Sequence, residues 1–171
     1  MRETNPTEMQ VVAAFEDAPV LEDEGLIGVI EGGKATLGTL IKAGEDGRLA
    51  ALDLGKQKLG AAGAAVVARL LPAMASLTKI LVSGNELGDE GTIILCDALR
   101  ESTVSKVEEL NLYDNEIGPN GAKAIAALCA VRGSLTKLDV RWNNYTNGIG
   151  HEGEAVLQKA VEGRSGFKLK L

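Results

Sequence analysis

Aromatic side chains are scarce in this sequence: two Phe, two Tyr and one Trp among 171 residues. Aliphatic residues must fill any core, so a cluster of aromatics needs a reason other than packing. A single histidine, His151, leaves no multi-histidine metal site within the chain. Two cysteines, Cys96 and Cys129, cannot make a disulfide framework. Cations are not in excess. The net charge of −6 argues against a phosphate-binding footprint and against an anionic membrane surface. No apolar run reaches the roughly 18 residues that a membrane-spanning helix needs. The opening MRETNPTEMQ lacks the basic start and apolar run of a secretory signal. The expectation is an intracellular, cytoplasmic chain without cofactor, nucleic-acid partner or membrane partner.

What is present is regularity. Four segments share one pattern: LAALDLGKQKLGAAGAA from Leu49, LTKILVSGNELGDEGTI from Leu77, VEELNLYDNEIGPNGAK from Val107, and LTKLDVRWNN from Leu135. Their starts are 28, 30 and 28 residues apart. The fourth resumes as IGHEGEA from Ile149, after the inserted residues Asn144 to Gly148, and FKLKL closes the chain as a half-repeat. Within each unit L-x-L alternates, which predicts a short strand with one buried face. Asn85, Asn115 and Asn143 follow three residues after the last strand residue, where an asparagine can bond the backbone of a tight turn. Gln57 takes that place in the first unit and predicts a looser turn. Gly63, Gly91, Gly121 and Gly153 are expected to open alanine-rich helices. One strand and one helix cannot bury their own core, so the units must stack, strands in a parallel sheet and helices behind it.

These residues resemble the leucine-rich repeats, specifically the long, ribonuclease-inhibitor-like class. The resemblance covers Leu49 to Leu171. It implies an α/β solenoid of about four to five repeats, a curved parallel sheet on the concave side and helices on the convex side. It also implies a protein partner, since members of this class mostly bind other proteins. Some relatives stimulate small GTPases through rim residues, but no motif for that is matched here.

Residues 1–47 fall outside the clear repeats and are read as an N-terminal cap or arm, with 48–171 as the solenoid. Asn5-Pro6 suggests a helix start, and Lys34 to Lys42 reads as a second short helix, the helix of a degenerate first unit over Gly33 to Ala43. Gly28 to Thr36 comes near a phosphate loop, but Ala35 stands where a hydroxyl must reach the nucleotide's magnesium. At the other end Phe167 to Leu171 is an open strand, an invitation to self-association or assembly that Lys168 and Lys170 would restrain.

No catalytic or metal-binding set can be assembled from this inventory. Cys96 and Cys129 read as buried small apolar residues, and His151 as a surface residue. The outward strand positions carry more information. They include Lys79 and Leu81, Glu109, Asn111 and Tyr113, then Asp139 and Arg141, with Trp142 just beyond. Three of the five aromatics, Tyr113, Trp142 and Tyr145, fall here or in the inserted loop. Aromatics and arginine are the types most enriched at binding hot spots. The expected function is a non-enzymatic protein-interaction module. Tyr113, Trp142 and Arg141 would anchor the partner beside Tyr145, Asn111, Asp139, Lys79, Leu81 and Glu109. The alternative is a small structural subunit held by its N-terminal arm and C-terminal edge strand.

Overall fold

The structure, a computed structural model, describes residues 28–30, 33–35, 46–47, 49–143 and 148–171. Five short strands form one parallel sheet in chain order: β3 (Ala51–Asp53), β4 (Lys79–Leu81), β5 (Glu109–Asn111), β6 (Lys137–Asp139) and β7 (Lys168–Lys170). Between them run α1 (Gly60–Leu70), α2 (Gly88–Glu101), α3 (Pro119–Val131) and α4 (Gly150–Val161), each packed on the next. Four strand–helix units and a final strand therefore make an α/β solenoid.

The register follows the sequence repeat. Leu52, Ile80, Leu110, Leu138 and Leu169 stand opposite one another across the sheet. The first four are buried and meet helix residues such as Val67, Leu95, Ile125 and Leu157 in one apolar core. All of these are aliphatic, as the shortage of aromatics requires.

The asparagines do more than turn the chain. Asn85 is fully buried; its side-chain amide donates to Leu54 O and Val82 O at 2.8 and 2.9 Å, and its carbonyl oxygen accepts from Gln57 N at 2.8 Å. Asn143 acts alike on Leu112 O, Val140 O, Asn115 N and Ile117 N. Asn115 accepts from Asn85 N. Each asparagine thus ties its own turn to the previous unit. The turn at Gln57 is not looser, because Asn85 holds it from the next unit. Lys56 and Lys58 take the same left-handed φ values, 59° and 53°, as Asp114 and Glu116, at 55° and 59°.

The helices begin three residues before the expected glycines in α1, α2 and α4, and two before Gly121 in α3. Gly88, with φ of 59°, makes the bend into α2, so Gly91 lies within the first turn. The later glycines serve close packing. A Cβ at Gly91 would meet the Ala61 backbone at 3.2 Å and Ala64 Cβ at 3.3 Å.

The N-terminal part departs from expectation. Gly28–Ile30 (β1) and Gly33–Ala35 (β2) pair antiparallel, with Ile30 opposite Gly33. Two residues join them, the length of a tight hairpin, and β-branched Val29 and Ile30 suit a strand. The proposed helix over Lys34 to Lys42 is therefore corrected at residues 34–35, which are strand; 36–42 lie outside the described residues. A hairpin also removes the strand–loop–helix setting that a phosphate loop requires. β1 lies against β3.

Candidate functional site

The sheet face turned away from the helices carries the outward strand residues. By register, Lys79, Glu109, Lys137 and Lys168 form one row, and Leu81, Asn111, Asp139 and Lys170 the next. In the first row Glu109 accepts Lys137 Nζ at 2.5 Å and stands 4.0 Å from Lys79 Nζ. This row holds three lysines and one carboxylate, and Glu109 is shared between two of the lysines. It lies four residues, about 13 Å of strand, from the level of Tyr113.

At that level Tyr113, Arg141 and Trp142 come together. The Tyr113 and Trp142 ring centres are 6.3 Å apart with planes inclined by 43°. The Arg141 guanidinium lies 5.7 Å from the centre of the Tyr113 ring, within cation–π range. Trp142 is 62% exposed, although it is the chain's largest apolar side chain. Its φ of 60° is left-handed, a region that bulky residues avoid at a cost of about 1–3 kcal/mol. The equivalent places in the preceding units hold Lys56, Gly84 and Asp114. The turn imposes the conformation, and the sequence places a tryptophan there all the same.

Asp139 faces this group from below. It is only 5% exposed. Its Oδ1 accepts Arg141 Nε at 2.9 Å and its Oδ2 accepts Arg141 Nη2 at 2.7 Å, a two-point clamp. Lys170 Nζ stands 3.5 Å from Oδ2. Burial pulls the Asp139 carboxyl upward, but the hydrogen bonds and charge of Arg141, with Lys170, outweigh it and leave the pKa below its ordinary value. Alternation had assigned Asp139 to the open face; Arg141 and Lys170 cover it there.

The other expected residues divide. Asn111 accepts Tyr113 N at 3.0 Å and so shapes the strand exit under the ring. Leu81 is half-buried in register with Asn111. Tyr145 lies outside the described residues. Cys96 and Cys129 are buried and free. His151 is exposed in the first turn of α4. Among the described residues no group of His, Cys, Asp or Glu could hold a metal ion. No helix among them is long and apolar enough to cross a membrane.

Side chains that reach into a neighbouring unit were not anticipated. Asp89 of α2 accepts Gly118 N and Gly121 N at 2.8 and 2.7 Å, capping α3 from outside. Arg132 donates to Arg100 O in the last turn of α2 and to Ser102 O just past it, and Arg164 to Cys129 O in the last turn of α3 and to Leu135 O beyond it. Both arginines stand three residues before a strand-opening apolar residue, Leu135 or Phe167. That recurrence was a usable signal.

Comparison with known proteins supports the repeat reading. A family described as Leucine Rich repeat matches residues 73–96 and 105–126. Leucine-rich repeat-containing protein 45 of Gallus gallus is 32% identical over 120 residues, 70% of this chain and 17% of that protein. Ribonuclease inhibitor of Sus scrofa is 31% identical over 100 residues, 58% of this chain and 21% of that protein. The chain thus spans about a fifth or less of the length of these relatives.

Proposed function

This chain is a leucine-rich-repeat protein of the ribonuclease-inhibitor-like class, and from that premise we propose that it is a non-enzymatic module. It binds a protein partner through the concave sheet face and the inserted loop of the fourth repeat. Leucine-rich repeats generally mediate contacts between proteins, and relatives of this class are typically binding modules.

The observation that carries this reading is the exposed group of Tyr113, Arg141 and Trp142. A left-handed tryptophan in water gains little for the fold and costs strain. The three residue types are those that anchor interfaces. The group stands on the turns that leave β5 and β6, which the buried side chains of Asn115 and Asn143 hold, and Arg141 is already clamped by Asp139, so few rotamers are frozen when a partner docks. Tyr145 of the inserted loop joins them in this reading, and Asn111, Leu81, Lys79 and Glu109 set specificity around them. The two buried free thiols suit a reducing compartment, so we place its action in the cytoplasm.

The test compares the protein partners captured from the source cell's extract by the wild type and by a Trp142→Ala/Tyr113→Ala chain with native circular dichroism. Loss of a hot-spot pair should weaken capture by about 30-fold or more. Equal capture by both would refute the reading. It would favour instead a structural subunit held by its N-terminal arm and the edge strand Phe167–Leu171.

A further inference from the structure

We infer that Asp139 is a positioning residue of the binding face: its buried carboxylate clamps Arg141 against Tyr113 and ties that group to β7 through Lys170. The inference rests on the proposed binding role of Tyr113, Arg141 and Trp142.

The argument comes from comparing one place in the repeat. Asp53 Oδ1 accepts Gly55 N at 3.0 Å, Asn111 Oδ1 accepts Tyr113 N at 3.0 Å, and Asp139 Oδ1 faces Arg141 N at 3.3 Å. Each bond runs from a side-chain oxygen to the amide two residues on, and each shapes the strand exit. Asn111 shows that an amide suffices for this task. Leu81, in register with Asn111, shows that the sheet tolerates having no oxygen there at all. The fold therefore gives no reason for a negative charge at 139.

A buried charge is costly unless it is fully paired. At Asp139 the pairing is complete on one side and specific. Arg141 engages it through two parallel N–H donors, the geometry that fixes a guanidinium in one plane. A free arginine samples many rotamers and would have to be ordered when a partner arrives. Here it is ordered beforehand, over the Tyr113 ring whose other neighbour is Trp142. The lowered pKa of Asp139 keeps the clamp charged through the physiological range. Lys170 adds a second consequence. It comes from β7, so the same carboxylate joins the binding group to the last strand of the sheet.

The test is Asp139→Asn, with Asp139→Glu as the partial rescue that keeps the charge. Three readouts apply: circular dichroism, the Arg141 Nε–H signal in nitrogen-15 NMR, and capture of whichever protein the wild type captures and the Trp142→Ala/Tyr113→Ala chain does not. Asp139→Asn should keep native dichroism, because asparagine serves at 111. It should lose the slowly exchanging Arg141 Nε–H signal and weaken capture by about tenfold, and Asp139→Glu should restore part of both. Full capture by Asp139→Asn, with the double variant still defective, overturns the inference and leaves the binding face intact. An unfolded Asp139→Asn chain overturns it too, since the fold would then need the charge. If the double variant captures every partner that the wild type does, the binding face itself fails, and this inference with it.

Discussion

Replacing Asn85 with alanine tests how the units are held together. Its amide donates to Leu54 O at 2.8 Å and to Val82 O at 2.9 Å, and its oxygen accepts Gln57 N at 2.8 Å. Val82 O keeps a second donor in Asn115, so it is not orphaned. Leu54 O and Gln57 N lose the side-chain partner that links them to the next unit. Three bonds at about 1 kcal/mol each, with a further penalty for two groups cut off from water, give about 3–5 kcal/mol. For a chain of this size that lowers the thermal midpoint by roughly 10 °C. Gln57→Ala is the internal control. Gln57 occupies the same repeat position but its side chain makes one bond, to Gly55 O at 3.1 Å, and it is half-buried. Its loss should cost under about 1 kcal/mol. Thermal unfolding followed by circular dichroism separates the two. Equal midpoints for the two variants would refute the claim that the asparagines, rather than the strands alone, bind unit to unit.

Asn85→Asp sharpens the same test through pH. The acceptor bond to Gln57 N survives, but a second carboxylate oxygen would now face Leu54 O and Val82 O. Protonation turns that oxygen back into a donor, so the folded pKa is raised above the unfolded value of about 3.9. A raised folded pKa means that stability is full below the unfolded value and is lost as pH rises through the folded one. The variant should therefore approach the wild type near pH 4 and fall progressively behind it toward pH 7.

Two further outcomes are expected. Gly121→Ala places a Cβ 2.6 Å from Ile117 Cγ2 and 2.7 Å from Asp89 Oδ1, so it should disturb the cap on α3 and cost about 1–3 kcal/mol; Gly133→Ala, with nothing within 4 Å, should leave the midpoint within the range of ordinary surface changes. Burial pushes the Cys96 thiol far above its ordinary value and that of Cys129 up to about 11, so a disulfide reagent at pH 8 should leave the native chain unreacted and titrate two thiols only in denaturant.

The repeat made the solenoid legible. A spacing of 28 to 30 residues fixes which residues stand opposite one another, and the observed register follows from it. What one unit does to another was harder to read. Asn85 was expected to serve its own turn, and it does so at Val82 O and Ser83 O, but its bonds to Leu54 O and Gln57 N also cross to the previous unit. A side chain's reach depends on the distance between stacked turns, which the pattern within one unit does not contain. Helix starts were placed late for a related reason: Gly91 and Gly153 look like openers, yet they are small because the preceding helix passes close by. The hairpin at Gly28–Ala35 was missed because the period was extended over Gly33 to Ala43, past the residues that support it, and β-branched Val29 and Ile30 just before were not weighed as a strand.

The candidate site was legible as a set of residue types and not as an arrangement. Alternation assigns a side chain to a face, but it cannot tell whether a neighbour covers it. Asp139 and Glu109 occupy outward positions on adjacent strands, and both are spent on cations beside them. The repeat itself supplies the better criterion. Where several units solve the same backbone problem, the common solution measures what the fold requires, and any excess at one unit belongs to something else. By that measure a polar oxygen at 53, 111 and 139 belongs to the strand exit. The two-point clamp of Asp139 on Arg141 exceeds it, as does a tryptophan in a left-handed turn where other units place Lys56, Gly84 and Asp114. Both excesses fall at the fourth repeat, beside Tyr113, which is why we propose the centre of the binding face there, with the paired charges of Lys79, Glu109 and Lys137 at its margin.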